Sequence, residues 1–289
     1  MLEKLGIGTA QFGQNYGISN KFGKVSQSEA EKILYLAKLN SIDVIDTAIS
    51  YNSESCLGNI GVKEYKVITK LPPVPKGIKN MYKWVDVQIK SSLKRLRINS
   101  VYGLLLHSSD DYKHSELREK FKSLKADKII HKIGVSIYSP NELNNLPCEN
   151  EIDIVQAPIN LVDQRLVDSG WLKKLNSYGV EVHARSVFMQ GLLLMPKNLI
   201  PKSFMAWSSL WTKWHDWLNR ENISAVQACL NYVLSLPEVD RVIIGFEAAN
   251  QLNQIVESLT YSFNIAYLDI SNSEENLVNP SMWPTHEKY

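Results

Sequence analysis

Apolar residues recur along the chain in two alternating rhythms. Short runs rich in β-branched residues read as strands at Leu5–Thr9, Asp43–Asp46, Val67–Lys70, Val101–Leu106, Ile130–Val135, Ile152–Gln156, Val180–Ala184 and Arg241–Ile244. Longer stretches with apolar residues at helical spacing follow them, at Ser28–Leu39, Ser53–Gly61, Met81–Leu96, Ser115–Ala126, Pro140–Leu146, Arg165–Tyr178, Ser224–Ser235 and Asn250–Ser258. Parallel neighbours need a helical crossover, so this alternation predicts an α/β fold, a single (β/α)8 TIM barrel. A doubly wound open sheet fits less well: "GIGTAQFG" has glycines at 6, 8 and 13, which is not the dinucleotide fingerprint.

No Gly/Ser- or Pro-rich linker divides residues 1–289, so they read as one domain, and "LPPVPKG" at 71–77 reads as a loop. An aromatic loop or helix insertion is expected at about 196–220 and a C-terminal tail from about 262. Trp207, Trp211, Trp214 and Trp217 are spaced to share one helical face. Such a stripe either packs on the barrel rim or walls a substrate pocket. The insert "QNYGISNKFGK" at 14–24 lengthens the first loop, and with Tyr16 and Phe22 it either covers the site or remains a surface loop.

Composition narrows the function classes. The chain is 44% hydrophobic and 21% charged, with a net charge of +2, which supplies no field for a nucleic-acid partner. No apolar run approaches the roughly 18 residues of a spanning helix, and "MLEKLGIGTA" lacks a signal-peptide core. A cytoplasmic protein without a membrane partner is the expectation. Cys56, Cys148 and Cys229 lack metal-ligand spacing and read as reduced, buried thiols, with no metal site. Nothing in the pattern sets an oligomeric state.

The strand ends carry the candidate chemistry, because barrel chemistry sits at the carboxyl ends of strands. The second strand ends "VID" at Asp46, the third "VITK" at Lys70 and the fourth "LLLH" at His107, while Tyr51 lies in the loop after the second. Hydride addition to a carbonyl leaves charge on oxygen that a nearby acid must neutralise. Tyr51 is a candidate acid, and a neighbouring Lys70 ammonium would lower its pKa. Asp46 would orient Lys70, and a neutral His107 would bond the substrate oxygen.

"GTAQFG", "DTAISYN", "VITK" and "LLLH" resemble, in order, successive motifs of the aldo-keto reductase family, as do "KIGVSIYSPNEL", "VQAPIN", "ARSVFMQGLL" and "VIIGFEAANQL" further on. The resemblance covers about the first 260 residues. It implies a barrel enzyme that reduces a small-molecule carbonyl with a nicotinamide cofactor, using Asp46, Tyr51, Lys70 and His107. It also implies that Gly8, Thr9 and Ala10 lie near the nicotinamide and that Ser136 and Gln156 hold its carboxamide. Arg185 stands where the family commonly has an aromatic stacked on the nicotinamide, and its charge would favour an anionic substrate or a phosphate. Ser186, Gln190 and Gly191 match the loop over the pyrophosphate.

The family default is NADP(H). Here, however, residues 245–255, from Gly245 on, contain no Lys or Arg, and Glu247, Gln251 and Gln254 stand there instead. A carboxylate would accept from free ribose hydroxyls and repel a 2′-phosphate, so NAD(H) is an open alternative. Two other function classes stand beside the oxidoreductase: a nicotinamide-binding sensor or regulatory subunit with little turnover, and a metal-dependent barrel hydrolase or lyase, which lacks a ligand cluster.

Overall fold

Parallel strands β1 (Leu5–Gly8), β2 (Val44–Asp46), β3 (Lys66–Leu71), β4 (Val101–Leu106), β5 (Ile130–Ser136), β6 (Ile154–Pro158), β7 (Glu181–Arg185) and β8 (Arg241–Gly245) run in sequence order around a closed barrel. β8 returns to pair with β1, so no sheet edge is left. This is the barrel expected from the alternation, seen in a computed structural model that describes residues 1–20, 22–259 and 267–283.

The inside of the barrel follows from the two-residue period of a strand. Val44, Ile68, Leu105, Ile154 and Ile243 point inward and pack on one another. Glycines make room for them: a Cβ on Gly6 would stand 2.7 Å from Ile243 Cδ1, and one on Gly134 would stand 2.6 Å from the Ile154 carbonyl oxygen. The barrel is therefore a filled core. Two residues further along each strand, the same inward direction gives Asp46, Lys70, His107, Gln156 and Gly245. The candidate site is the next layer of the core, placed where the strands end.

The helices wrap this barrel much as the apolar spacing predicts. Met81–Leu96 buries Met81, Val85, Ile89 and Leu96, and it begins at Asn80, whose side chain accepts from the Lys83 amide. Two expected helices differ. Pro140–Leu146 is a 3-10 segment, Pro140–Asn145, started by a Ser139–Glu142 capping box. Arg165–Tyr178 is two pieces, Arg165–Asp168 and Trp171–Ser177, because Gly170 between them adopts φ 77° and turns the chain.

The aromatic segment forms a helix, Ser208–Glu221, that buries Trp211, Trp214 and Trp217. Their indoles are satisfied inside the protein: Trp211 Nε1 donates to the Phe204 carbonyl at 2.8 Å and Trp214 Nε1 to that of Leu193 at 3.1 Å. Of the tail expected from about 262, residues 260–266 and 284–289 lie outside the described residues. The part between them holds the helix Glu275–Val278 and seats Trp283 edge-on against Phe204, with ring centroids 5.1 Å apart. Cys148 and Cys229 are buried, whereas Cys56 is only half-buried. Among the described residues no helix is long and apolar enough to cross a membrane, and no three His, Cys, Asp or Glu side chains gather as a metal site.

Candidate active site

A cavity of about 1240 Å³, measured with its open mouth, runs across the carboxyl ends of the strands. Asp46, Tyr51, Gln156 and Arg185 line one end and Glu247, Gln251 and Gln254 the other, while Gly245, the β8 partner of Gly8, also lines it. Gly8, Thr9, Ala10, Ser186, Gln190 and Gly191 line it as well. Lys70, His107 and Ser136, also expected at the site, are not on its wall. Lys70 is fully buried beneath it, and Ser136 is buried on β5 in register with Gln156.

Asp46 is the hub of the floor. Its backbone is pinned by Thr9, whose amide and hydroxyl both donate to the Asp46 carbonyl, at 3.0 and 2.9 Å. Lys70 Nζ donates to both carboxylate oxygens at 2.7 Å and to the Thr47 carbonyl at 3.0 Å. Gln156 Nε2 donates to Asp46 Oδ1 at 2.7 Å, which leaves the Gln156 carbonyl oxygen without a hydrogen-bond partner among the described residues. Burial pulls the Lys70 pKa down and the carboxylate opposes it. The contact to both oxygens is that of a charged pair in a dry site.

Tyr51 ends a 3-10 turn, Ile49–Tyr51, released by the left-handed Asn52 at φ 60°. That turn brings its ring over the floor: Lys70 Nζ is 5.1 Å from the ring centroid. His107 stands edge-on to the ring at a centroid distance of 5.7 Å, and its Nδ1 is 3.3 Å from Ser50 Oγ. Burial, then the Lys70 and Arg185 charges, push the His107 pKa down to about 4, so the ring is neutral near pH 7.

The Tyr51 phenol behaves differently from the sequence expectation. Its pKa is raised, first by burial and then by the Asp46 carboxylate, with Arg185 opposing. The Lys70 ammonium, bound to both oxygens of Asp46, does not reverse this rise.

Arg185, which stands where the family commonly has a stacking aromatic, is itself stacked within the protein. Its guanidinium lies on the Tyr138 ring, with Cζ 4.5 Å from the centroid. Nη2 donates to the Ile137 carbonyl at 2.9 Å and Nη1 to Ser186 Oγ at 3.1 Å.

The roof is made by two loops. After β7 the backbone turns through left-handed residues, Met189 at φ 49°, Gln190 at φ 54° and Gly191 at φ 94°. The turn presents the Gln190 carbonyl to the Ile18 amide at 3.1 Å, and a Cβ on Gly191 would fall 1.8 Å from Ser19 Oγ. The 14–24 insert thus meets the β7 loop above the cavity. Its Tyr16 lines the wall, whereas Phe22 is 83% exposed and faces away. None of Trp207, Trp211, Trp214 or Trp217 lines the cavity, so this stripe is packing rather than a substrate wall.

Two residues at the far end escaped the sequence reading. Gln11, directly after the "GTA" motif, lays its amide against Gly245, where a Cβ would meet Oε1 at 2.5 Å. Glu29, in the helix Gln27–Leu39, reaches across to the amide that opens the helix Ala249–Ser258, with Glu29 Oε1 accepting from Ala249 N at 2.7 Å. That bond and then the Lys32 ammonium hold the Glu29 carboxylate below its usual range. Glu247 is pushed up by burial, and its amide donates to Gln251 Oε1 at 2.8 Å. Gln11 neighbours a quoted motif, but no local signal joins Glu29 to a helix 220 positions away.

The model of the aldo/keto reductase family matches residues 4–271. The chain belongs to this family. Its solved relatives share the fold at low identity. The aldo-keto reductase AKR11C1 from Bacillus halodurans, described as a holo form, superposes with a TM-score of 0.73 at 19% identity, covering 98% of this chain and 95% of that one. The glycerol dehydrogenase AKR11B4 from Gluconobacter oxydans gives 0.70 at 19% identity, covering 90% and 88%. Among curated proteins, YqkF of Bacillus subtilis, named an uncharacterized oxidoreductase, is 24% identical over 61% of this chain and 60% of its own length. The glyoxal reductase of the same organism is 28% identical over 58% and 61%. The match to these curated relatives therefore spans about three-fifths of their length.

The cavity of this family member suits a nicotinamide dinucleotide. Its lining runs from the strand-end floor to the helix beyond β8, the extent an elongated ligand requires. Gly8 and Gly245 are partners across β1 and β8, so two adjacent strand ends present bare backbone to a planar group. The Gln156 carbonyl oxygen, unpartnered among the described residues, could accept from an amide NH₂.

Proposed function

We propose that this aldo/keto reductase is an NAD(P)(H)-dependent oxidoreductase that reduces an aldehyde or ketone to an alcohol, or runs the reverse. The observation that carries the reading is the Asp46–Lys70 pair under the Tyr51 ring, beside a neutral His107. A bound reduced nicotinamide would supply the hydride for the carbonyl carbon. The chain's own residues then have to manage the oxygen.

Tyr51 is the proton donor: its raised pKa keeps the hydroxyl protonated at rest, and the Oη proton passes to the oxygen as charge develops there. Lys70 holds positive charge within reach of the phenolate so formed, and Asp46 keeps Lys70 in place. In the tautomer in which Nδ1 accepts from the Ser50 hydroxyl, the neutral His107 ring carries its hydrogen on Nε2, a donor that would position the substrate oxygen. Thr9, Ala10 and Gly8 would lie along the nicotinamide; Gln156, with Ser136 in register on β5, would receive the carboxamide; and Ser186, Gln190 and Gly191 would hold the pyrophosphate.

NAD(H) is the cofactor that the far end supports. Arg185 is the only cation among the described residues lining the cavity, and it stands at the opposite end. The first amide of the helix Ala249–Ser258 is already taken by Glu29, and Glu247 adds a second carboxylate. A 2′-phosphate would meet two acids where it needs a cation.

Purified protein should oxidise NADH in the presence of a panel of small carbonyls, the compound class named for the glyoxal reductase among its relatives. Tyr51→Phe should lower kcat by about 10²–10⁴-fold with an unchanged melting temperature. Unaltered turnover in that variant would assign the proton to another group.

A further inference from the structure

We infer that the substrate of this site carries an anionic group, a carboxylate or a phosphate, and that Arg185 receives it. The inference rests on the oxidoreductase reading above and names its substrate class.

The first argument compares half-buried arginines. Arg95, Arg118, Arg165 and Arg241 each have a carboxylate partner, at 2.6, 3.7, 2.8 and 3.9 Å. Arg185 is half-buried too, yet its contacts are a carbonyl, a hydroxyl and an aromatic face, all neutral. A cation withdrawn from water without a counter-charge is costly, and the protein matches the others.

The carboxylates nearby are committed elsewhere. Asp46 is held by Lys70 and Gln156, and Asp163 by Arg165 at 2.8 and 2.9 Å. With His107 neutral, Lys70 and Arg185 stand at this end against Asp46, and the Asp163 carboxylate, which also feels the Arg185 charge, is bonded to Arg165, so Arg185 has no carboxylate partner of its own. An anionic substrate would supply one.

The second argument is orientation. Stacking on Tyr138 and two hydrogen bonds fix the plane of the guanidinium. Two of the five N–H groups of a guanidinium are thereby used, and the rest remain for a two-point contact with an oxyanion. The group is preorganised, so little side-chain entropy is lost on binding. It stands at the end of β7, across the cavity floor from Tyr51, and its charge bears on Tyr51, Lys70 and His107 together. This is the reacting end, so the anion belongs to the molecule being reduced. The other anion within conceivable reach is the cofactor pyrophosphate, and the experiment separates the two.

Turnover of 4-oxobutanoate is compared with butanal, and of glyceraldehyde 3-phosphate with glyceraldehyde, under saturating NADH and again under NADPH. The wild type should favour the charged member of at least one pair by about tenfold or more in kcat/KM. Arg185→Gln should bring that ratio near unity by raising KM for the charged substrate far more than for the neutral one, with the NADH dissociation constant changed less than about twofold. Arg185→Lys should restore part of the ratio. Succinate, as an unreactive anion, should bind the NADH-loaded wild type by calorimetry and not the Gln variant.

Equal turnover of charged and neutral carbonyls by the wild type would overturn the anion inference while leaving the oxidoreductase reading intact. A weakened NADH affinity in Arg185→Gln with the preference unchanged would overturn it in favour of the pyrophosphate. Absence of turnover with every carbonyl would sink the oxidoreductase reading. In that case Arg185-dependent succinate binding would uphold the anion site, and its absence would remove both.

Discussion

The two ends of the cavity solve the problem of buried charge in opposite ways. At the strand-end floor, charge is concentrated: Lys70 is fully enclosed, bound to both oxygens of Asp46, with Arg185 across from it. At the far end, by the helix Ala249–Ser258, the two carboxylates are half-exposed: Glu29 accepts from the Ala249 amide and pairs with Lys32, and Glu247 lines the cavity. The first end holds a fixed field in a dry place, where it is strong. The second has water to screen it and acts mainly by what it repels. The proposed chemistry would draw on the former, and the proposed cofactor preference on the latter.

The sharpest way to break this contrast is to unpair the floor. Lys70→Met leaves Asp46 buried without its cation and should cost about 3–5 kcal/mol of stability, read by denaturant unfolding, along with loss of turnover. Glu247→Gln, at the screened end, should change stability by less than about 0.5 kcal/mol. Similar losses in both would show that the two ends do not differ in burial energetics.

A pH series tests the same floor. His107 titrates at about 4 in the folded protein and near 6.5 when unfolded, so the unfolded chain takes up the proton first. Stability from this group is therefore complete above pH 6.5 and declines as pH falls toward 4, by roughly 3 kcal/mol at most. His107→Asn should flatten that part of the profile; an unchanged slope would assign it to other groups.

The smallest expected effect belongs to the far end. Glu247→Arg should shift the ratio of NADPH to NADH affinity toward NADPH by about tenfold, measured by fluorescence titration. Glu29→Gln should move it less, since the amide it caps would still bond a neutral oxygen. A wild type that already binds NADPH more tightly than NADH would contradict the reading of this end.

Much of the floor was legible in the chain because it rests on local geometry. Asp46, Lys70 and His107 close β-rich runs, and strand alternation alone carries them into one layer above Val44, Ile68 and Leu105. The tryptophan stripe was less legible: helical spacing marks a buried face but not what buries it, and it packs under Phe204 and Leu193 rather than on the cavity. The Arg165–Tyr178 helix was overextended because its apolar spacing survives the turn at Gly170.

Alternation of apolar residues, with turn residues between the runs, determined the barrel and the order in which its strand ends present Asp46, Tyr51, Lys70 and His107. These are short-range consequences of side-chain direction, available to any reader of the sequence. Only the tertiary structure decided how those groups are charged and to whom they are committed. Enclosure by the loops after β1 and β7 raises the Tyr51 phenol where a neighbouring lysine suggested the reverse. Chain closure brings Glu29 to the helix beyond β8 and leaves Arg185 against Tyr138 without a carboxylate. Solvent exclusion and contacts between distant segments set these energies, and neither is a property of neighbouring residues in the chain.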